Sequence, residues 1–200
     1  MSTFRMTRRA ALTGLGATLA TPSLLRAQSS DAFPADEAPI EDEVTVRRNI
    51  SSFQQQDWRD HFDELGVGCI LADISSRALH YWGGDGETYR LFPSSVPMSE
   101  ELTRRGYSEI VRKRENPSWT PTASMRERDP SLPTRIEGGV PGNPLGTRAM
   151  YLTWPAYLVH GTHDTRKIGR QSSSGCIGLY NEHVEELYDL VQVGTKIRLL

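Results

Sequence analysis

His160-Gly161-Thr162-His163-Asp164-Thr165-Arg166-Lys167-Ile168-Gly169-Arg170-Gln171-Ser172-Ser173-Ser174-Gly175-Cys176 is the stretch on which the reading of this chain turns. The histidine closes an apolar, strand-like run, Tyr157 to His160, and the cysteine follows a Ser/Gly turn. A polar loop long enough to bring the two side chains together lies between them. Cysteine attacks carbonyls as thiolate, so it needs a base beside it, and His160 is the candidate base. Its second ring nitrogen can donate to a backbone carbonyl such as that of Gly161, giving a thiol–imidazole–carbonyl relay. Ser173-Ser174-Gly175-Cys176 presents consecutive backbone N–H groups around the sulfur, as an oxyanion hole requires, and Gly175 allows close approach of a substrate. Spacing alone leaves a second reading open, in which a surface histidine and a core cysteine are unrelated.

Outward from that stretch, strand signals dominate. Val67 to Ile74 and Ala78 to Trp82 read as a hairpin across Ser75-Ser76-Arg77, and Gly83-Gly84-Asp85-Gly86 turns the chain into a third strand, Glu87 to Phe92. Residues 99 to 114, rich in Arg and Glu, read as a surface helix or a decorated loop. Asn116 to Thr122 is extended because of its prolines. Residues 128 to 146 carry four prolines and form a long loop of the kind that serves a site. Arg148 to Leu152 is a strand. Asn181 caps a helix whose Val184, Leu187, Tyr188 and Val191 fall at helical spacing, and Lys196 to Leu200 closes the chain as a strand. The expected fold is mainly β, with one clear helix in the C-terminal half.

The 200 residues suit one domain with a leader. With 23 basic against 25 acidic residues there is no polyanion-binding balance, so nucleic acid is not an expected partner. Thr7-Arg8-Arg9 followed by a weakly apolar run to Leu25 and a small residue at Ala27 reads as a twin-arginine signal peptide over residues 1–27. It is too short and polar for a stable membrane span, and cleavage would leave none. The expected location is therefore the periplasm or cell envelope. Residues 28–65 read as a flexible spacer ending in a short amphipathic helix, Ser52 to Leu65, with Phe53, Trp58, Phe62 and Leu65 as its apolar side. An exported chain with two cysteines admits a Cys69–Cys176 disulfide. The apolar run around Cys69 argues instead for a small buried hydrophobe.

Several ordered motifs carry a resemblance. His160-Gly161-Thr162, Ile168-Gly169, Ser173-x-Gly175-Cys176-Ile177 and Asn181-Glu182-x-Val184-x-x-Leu187-Tyr188 resemble the signature of L,D-transpeptidase catalytic domains of the YkuD type. So do Trp119-Thr120-Pro121-Thr122-x-x-Met125, Pro141-Gly142-Asn143-Pro144-Leu145-Gly146 and Val193-Gly194-Thr195-Lys196, so that the likeness covers residues 66–200.

The resemblance implies a YkuD-like β-sandwich or barrel in which Cys176 is the nucleophile and His160 its base. Gly161 would supply the orienting carbonyl, and Ser174, Gly175 and Cys176 the oxyanion-hole amides. It implies peptidoglycan stem peptides as substrate, cleavage of the L,D bond before the terminal D-alanine through an acyl-enzyme, and transfer to an amine. It also implies reaction with carbapenem β-lactams, and neither a cofactor nor a metal. Thr162, Ser173, Arg126 and Arg148 are the candidate substrate contacts, the two arginines for stem-peptide carboxylates or else for local acids. Two positions depart from the family pattern. Ser174 stands where the family usually has a histidine, and Gly178 where it has an arginine. They keep two alternatives in view: an L,D-carboxypeptidase or endopeptidase with water as acceptor, and a weakly catalytic peptidoglycan-binding protein.

Overall fold

The apolar runs between Val67 and Phe92 become the first three strands of the computed structural model, which describes residues 53–200. The expected signal peptide and the spacer up to residue 52 lie outside the described residues. Strand β1 (Gly68–Asp73) turns through Arg77, at φ +57°, into β2 (Ala78–Gly83), and β3 (Tyr89–Pro93) follows. Every residue of β1 and β2 is buried, because both faces of this hairpin are covered. The remaining strands are β4 (Val96–Pro97), β5 (Gly106–Glu115), β6 (Arg148–Leu152), β7 (Leu158–His160), β8 (Gln171–Ser173), β9 (Ile177–Gly178) and β10 (Lys196–Leu199). Eight of them form one sheet in the order β3-β2-β1-β10-β5-β6-β7-β9, while β4 and β8 pair separately. The β1/β10 and β7/β9 pairs are parallel, and the other pairs of the large sheet are antiparallel.

Strand β5 joins the two halves of the sheet. Its first residues pair with β10 and its later ones with β6, with an irregularity between Ile110 and Arg112 where the pairing changes partner. An inserted residue at such a point bends the strand and sharpens the twist. The sheet curls accordingly. Ile70, Leu79 and Phe92 from one half meet Ile110, Met150, Val159 and Ile177 from the other in one core, under helix α2 (Asn181–Leu190), whose Val184 and Leu187 are buried. The fold is mainly β, as expected.

Three local expectations are corrected. Residues 106–115 form a ten-residue strand, not a helix or decorated loop. Only Ile110 of the ten is buried, so the apolar signal of a strand is nearly absent from the sequence. Two of its charged side chains instead lie on aromatic rings: the Arg112 guanidinium stands 3.8 Å from the Tyr151 ring centre and Lys113 Nζ 4.1 Å from that of Tyr188. Lys113 also donates to the Tyr188 and Val191 carbonyls, satisfying the C-terminal end of α2.

Asn181 does not cap α2. It is the first helical residue, after Tyr180, and its Oδ1 accepts the Thr147 N–H at 3.2 Å. The arm before β1 is a single 3-10 turn, Trp58–Asp60, rather than a helix over residues 52–65. Asp57 caps that turn, and Phe62, Trp58 and Leu65 close a second small core with Leu71 and Trp82. A short helix that the sequence reading passed over, α1 (Ala123–Arg128), starts at Thr122, whose hydroxyl accepts from Met125 N–H.

Cys69 is fully buried in β1, and its thiol donates to the Glu64 and Leu65 carbonyls, both at 3.4 Å. Burial pushes it up to about 11. Cys69 and Cys176 are both free thiols in different apolar clusters, so the disulfide alternative is set aside.

Candidate active site

His160 ends β7 and is paired with Gly178 on the parallel neighbour β9. Side chains two apart on a strand share a face, so Cys176, two residues before Gly178, comes up on the His160 side of the sheet. The pairing of two short strands thus brings together residues sixteen positions apart. Both side chains line one cavity of about 360 Å³. Its far wall comes from the long loop after α1, through Leu132, Pro144 and Leu145.

His160 Nδ1 lies 2.5 Å from the Gly161 carbonyl oxygen. A carbonyl only accepts, so Nδ1 carries the proton and Nε2 is left as the basic nitrogen. Burial lowers the His160 pKa to about 4; the Gly161 bond works against this and the Lys167 cation adds to it. Cys176 is pushed up to about 11 by burial, with a hydrogen bond from the Leu158 amide pulling the other way. Its thiol donates to the Ala156 carbonyl at 3.4 Å. Both shifts run towards the uncharged forms, a thiol and a neutral imidazole.

The loop before Cys176 is tied down by its own serine. Ser173 Oγ donates to the Cys176 carbonyl at 2.6 Å and accepts from the Gly175 N–H at 3.3 Å. That bond occupies the Gly175 amide, one of the three expected oxyanion donors. Gly175 sits at φ +128°, and a Cβ there would stand 3.3 Å from the Tyr157 ring, so a larger residue would be strained.

Thr162, Ser173 and Ser174 line the cavity with the pair, whereas Arg126 and Arg148 do not. Arg126 is exposed, donates to the Thr134 carbonyl and faces a separate groove with Glu127. Arg148 pairs with Glu115 at 3.6 Å and stacks on Tyr188. Neither lines the cavity that holds Cys176 and His160. In their place stand Arg128 and Asp129, at the end of α1, and Lys167. Arg128 Nη2 donates to Ser174 Oγ at 3.2 Å. Arg170 does not line the cavity.

Ser95, buried at 4% exposure, explains why position 178 holds glycine. Ser95 and Gly178 exchange backbone hydrogen bonds in both directions, and a Cβ on Gly178 would stand 2.4 Å from Ser95 Oγ. The serine hydroxyl fills the space that a side chain at position 178 would need. No sequence signal pointed to Ser95 or Arg128.

Three remaining residues have ordinary structural partners. His163 meets the Asn143 carbonyl, and Asp164 caps the 3-10 turn Thr165–Lys167 and pairs with Arg166. His183 is half-buried and packs against Phe92 and Tyr180. Among the described residues no group of three or more His, Cys, Asp or Glu side chains is placed to hold a metal ion.

Two histidines give the fold a pH dependence. His80 is fully buried, bonded through Nδ1 to Tyr89 Oη, and burial lowers its pKa to about 4, as for His160. Both are neutral when folded and protonate near 6.5 when unfolded. Stability from them is present above pH 6.5 and is lost as the pH falls towards 4. Urea denaturation across that range should show the unfolding free energy falling with a slope of up to two protons. A flat profile would show that the two rings accept protons in place.

Residues 68–199 match the YkuD family, the L,D-transpeptidase catalytic domain. The chain belongs to this family. It is 56% identical over 200 residues to a putative L,D-transpeptidase of Fuscovulum blasticum, with 98% of each chain covered. It is 35% identical over 136 residues to the probable L,D-transpeptidase ErfK/SrfK of Escherichia coli K12, covering 66% of this chain and 43% of the relative, so it matches under half of that protein. In fold it is similar to L,D-transpeptidase 3 from Mycobacterium tuberculosis in complex with a faropenem-derived adduct: TM-score 0.51, 17% identity, 66% of this chain and 60% of the other. As in the family, the β domain is mostly sheet with few helices, and among the described residues no helix is long and apolar enough to cross a membrane.

Proposed function

We propose that this L,D-transpeptidase family member is an exported enzyme that acylates Cys176 with a peptidoglycan stem peptide and passes the acyl group to an amine. The observation that carries the proposal is the shared cavity of Cys176 and a His160 whose proton is held on Nδ1 by Gly161. As the sulfur attacks the carbonyl before the terminal D-alanine, its proton passes to His160 Nε2. The carbonyl oxygen becomes an oxyanion facing the Ser174 and Cys176 amides. Collapse breaks the C–N bond, and the imidazolium returns the proton to the departing D-alanine amine. An acceptor amine then attacks the thioester, losing its proton to His160, and the thiol is restored. Proton transfer accompanies attack, because a thiol near 11 and an imidazole near 4 do not form a stable ion pair beforehand. Export rests on the leader-like residues 1–27, and points to the periplasm or cell envelope.

The faropenem-derived adduct belongs to the Mycobacterium tuberculosis protein. A carbapenem is expected to acylate Cys176 here too. Intact-mass spectrometry of the purified protein should show one added carbapenem, absent from Cys176→Ala. Purified enzyme given disaccharide-tetrapeptide should form 3→3 dimers; tripeptide alone would mean that water is the acceptor. No adduct and no product would leave a binding protein.

A further inference from the structure

Arg128 occupies an unusual position for a surface arginine. It is the last residue of α1, it lies at the rim of the Cys176 cavity, and its one bond there is to Ser174 Oγ at 3.2 Å. Arg148 and Arg166 are matched by Glu115 and Asp164. Arg128 has no carboxylate partner among the described residues. Asp129, beside it on the rim, has its Oδ1 engaged by the Ser131 amide and hydroxyl, at 3.0 and 2.5 Å. Lys167 adds a second cation to the lining. With two cations against one carboxylate, the lining has a net positive charge that favours an anion, and the guanidinium offers it a forked set of donors.

The reaction proposed above supplies such an anion next to the bond that breaks. In a tetrapeptide donor the fourth residue ends in a free carboxylate, three covalent bonds from the carbonyl carbon that Cys176 attacks. Ser174 lies two residues before Cys176 and lines the same cavity, so the group hydrogen-bonded to it reaches the cavity in which the donor would be held. A serine hydroxyl is a weak acceptor for a guanidinium compared with a carboxylate.

We propose that Arg128 is a specificity-determining residue of the donor site, leaving Ser174 to form a bidentate ion pair with the terminal carboxylate of the stem peptide. This rests on the donor reading of the cavity given above. It makes the enzyme selective for peptides whose fourth residue is the last. A C-terminal amide, or a fifth residue in amide linkage, places a neutral group where the guanidinium expects charge. Ser174 then holds Arg128 in place when the site is empty, which a histidine there, protonated or donating, would do less well.

Isothermal titration of the Cys176→Ala protein with the tetrapeptide free acid and with its C-terminal amide tests this. The acid is expected to bind about tenfold to a hundredfold more tightly. Adding Arg128→Gln should bring the ratio close to one, and Arg128→Lys should keep part of it. The melting temperature should barely change, since Arg128 is exposed. Because the readout is a ratio between two ligands on one protein, a general loss of structure does not mimic it. Equal binding of acid and amide, or a preference that survives Arg128→Gln, overturns the role of Arg128 alone. Binding of neither ligand overturns it together with the donor reading, which the carbapenem adduct tests separately.

Discussion

His160→Ala is expected to slow acylation of Cys176 at pH 7 by about a hundredfold to ten-thousandfold, the usual contribution of a positioned base. The reason lies in the resting state. With the thiol near 11, only about one molecule in ten thousand carries a thiolate at pH 7. On the proposed mechanism the wild-type protein avoids that scarcity by passing the proton to Nε2 during attack. Its base form is present wherever the pH exceeds about 4, so the acylation rate should be flat across pH 6–8 and should fall only as the pH approaches 4. The variant must wait for thiolate made by solvent. Its rate should climb tenfold per pH unit, towards a plateau near 11. A time course of carbapenem adduct formation at several pH values reads both profiles. A variant that matches the wild-type rate and lacks the slope would mean that another group deprotonates Cys176.

Gly146→Ala is expected to be the most damaging of the small substitutions around the site. Gly146 sits at φ +63°, and a Cβ there would stand 2.2 Å from Asn181 Oδ1, 2.6 Å from the Gly161 carbonyl carbon and 2.7 Å from Thr162 N. The left-handed conformation costs a non-glycine residue about 1 kcal/mol. Moving backbone that has no room to give adds about 1–3 kcal/mol. The sum lowers the melting temperature by roughly 5–15 °C for a domain of this size. Because the displaced residue is Gly161, whose carbonyl orients His160, acylation should also slow at temperatures where the variant is folded. Gly142→Ala is the control. It has φ +84° but nothing within 4 Å of the added methyl, so only the conformational cost applies. Equal melting shifts for the two variants would remove the packing argument.

The parts of the fold that were legible in the sequence are those where burial and turn chemistry coincide. The two strands of the hairpin from Gly68 to Gly83 are mostly apolar, turn through Ser-Ser-Arg and end at Gly-Gly-Asp-Gly. The pair His160 and Cys176 was legible because each stands beside its own local signal, a strand end and a Ser/Gly turn. Strand β5 was hidden because nine of its ten residues are not fully buried, and its place in the sheet depends on partners far away in the chain. Asn181 looked like a cap because the sequence shows its type but not its direction, and its side chain turns back to Thr147. The same blindness to direction made Arg126 and Arg148 candidates while Arg128, two residues from one of them, went unnoticed. The six residues of α1, Ala-Ser-Met-Arg-Glu-Arg, contain no apolar repeat that would mark a helix or show which arginine faces the cavity.

The sheet order also constrains how the chain assembles. Strand β10 lies between β1 and β5, yet it follows every other strand in sequence. Until Lys196–Leu199 is in place, the hairpin side and the catalytic side share no continuous hydrogen-bonded ladder. A polypeptide emerging from the ribosome can thus form its local hairpin early but cannot complete the curl that encloses the common core. Joining residues near 70 to residues near 197 closes a very long loop, and such late, distant pairings make folding slow relative to chains with local contacts. Closure of the common core, and of the cavity beside it, therefore waits on the pairing of β10.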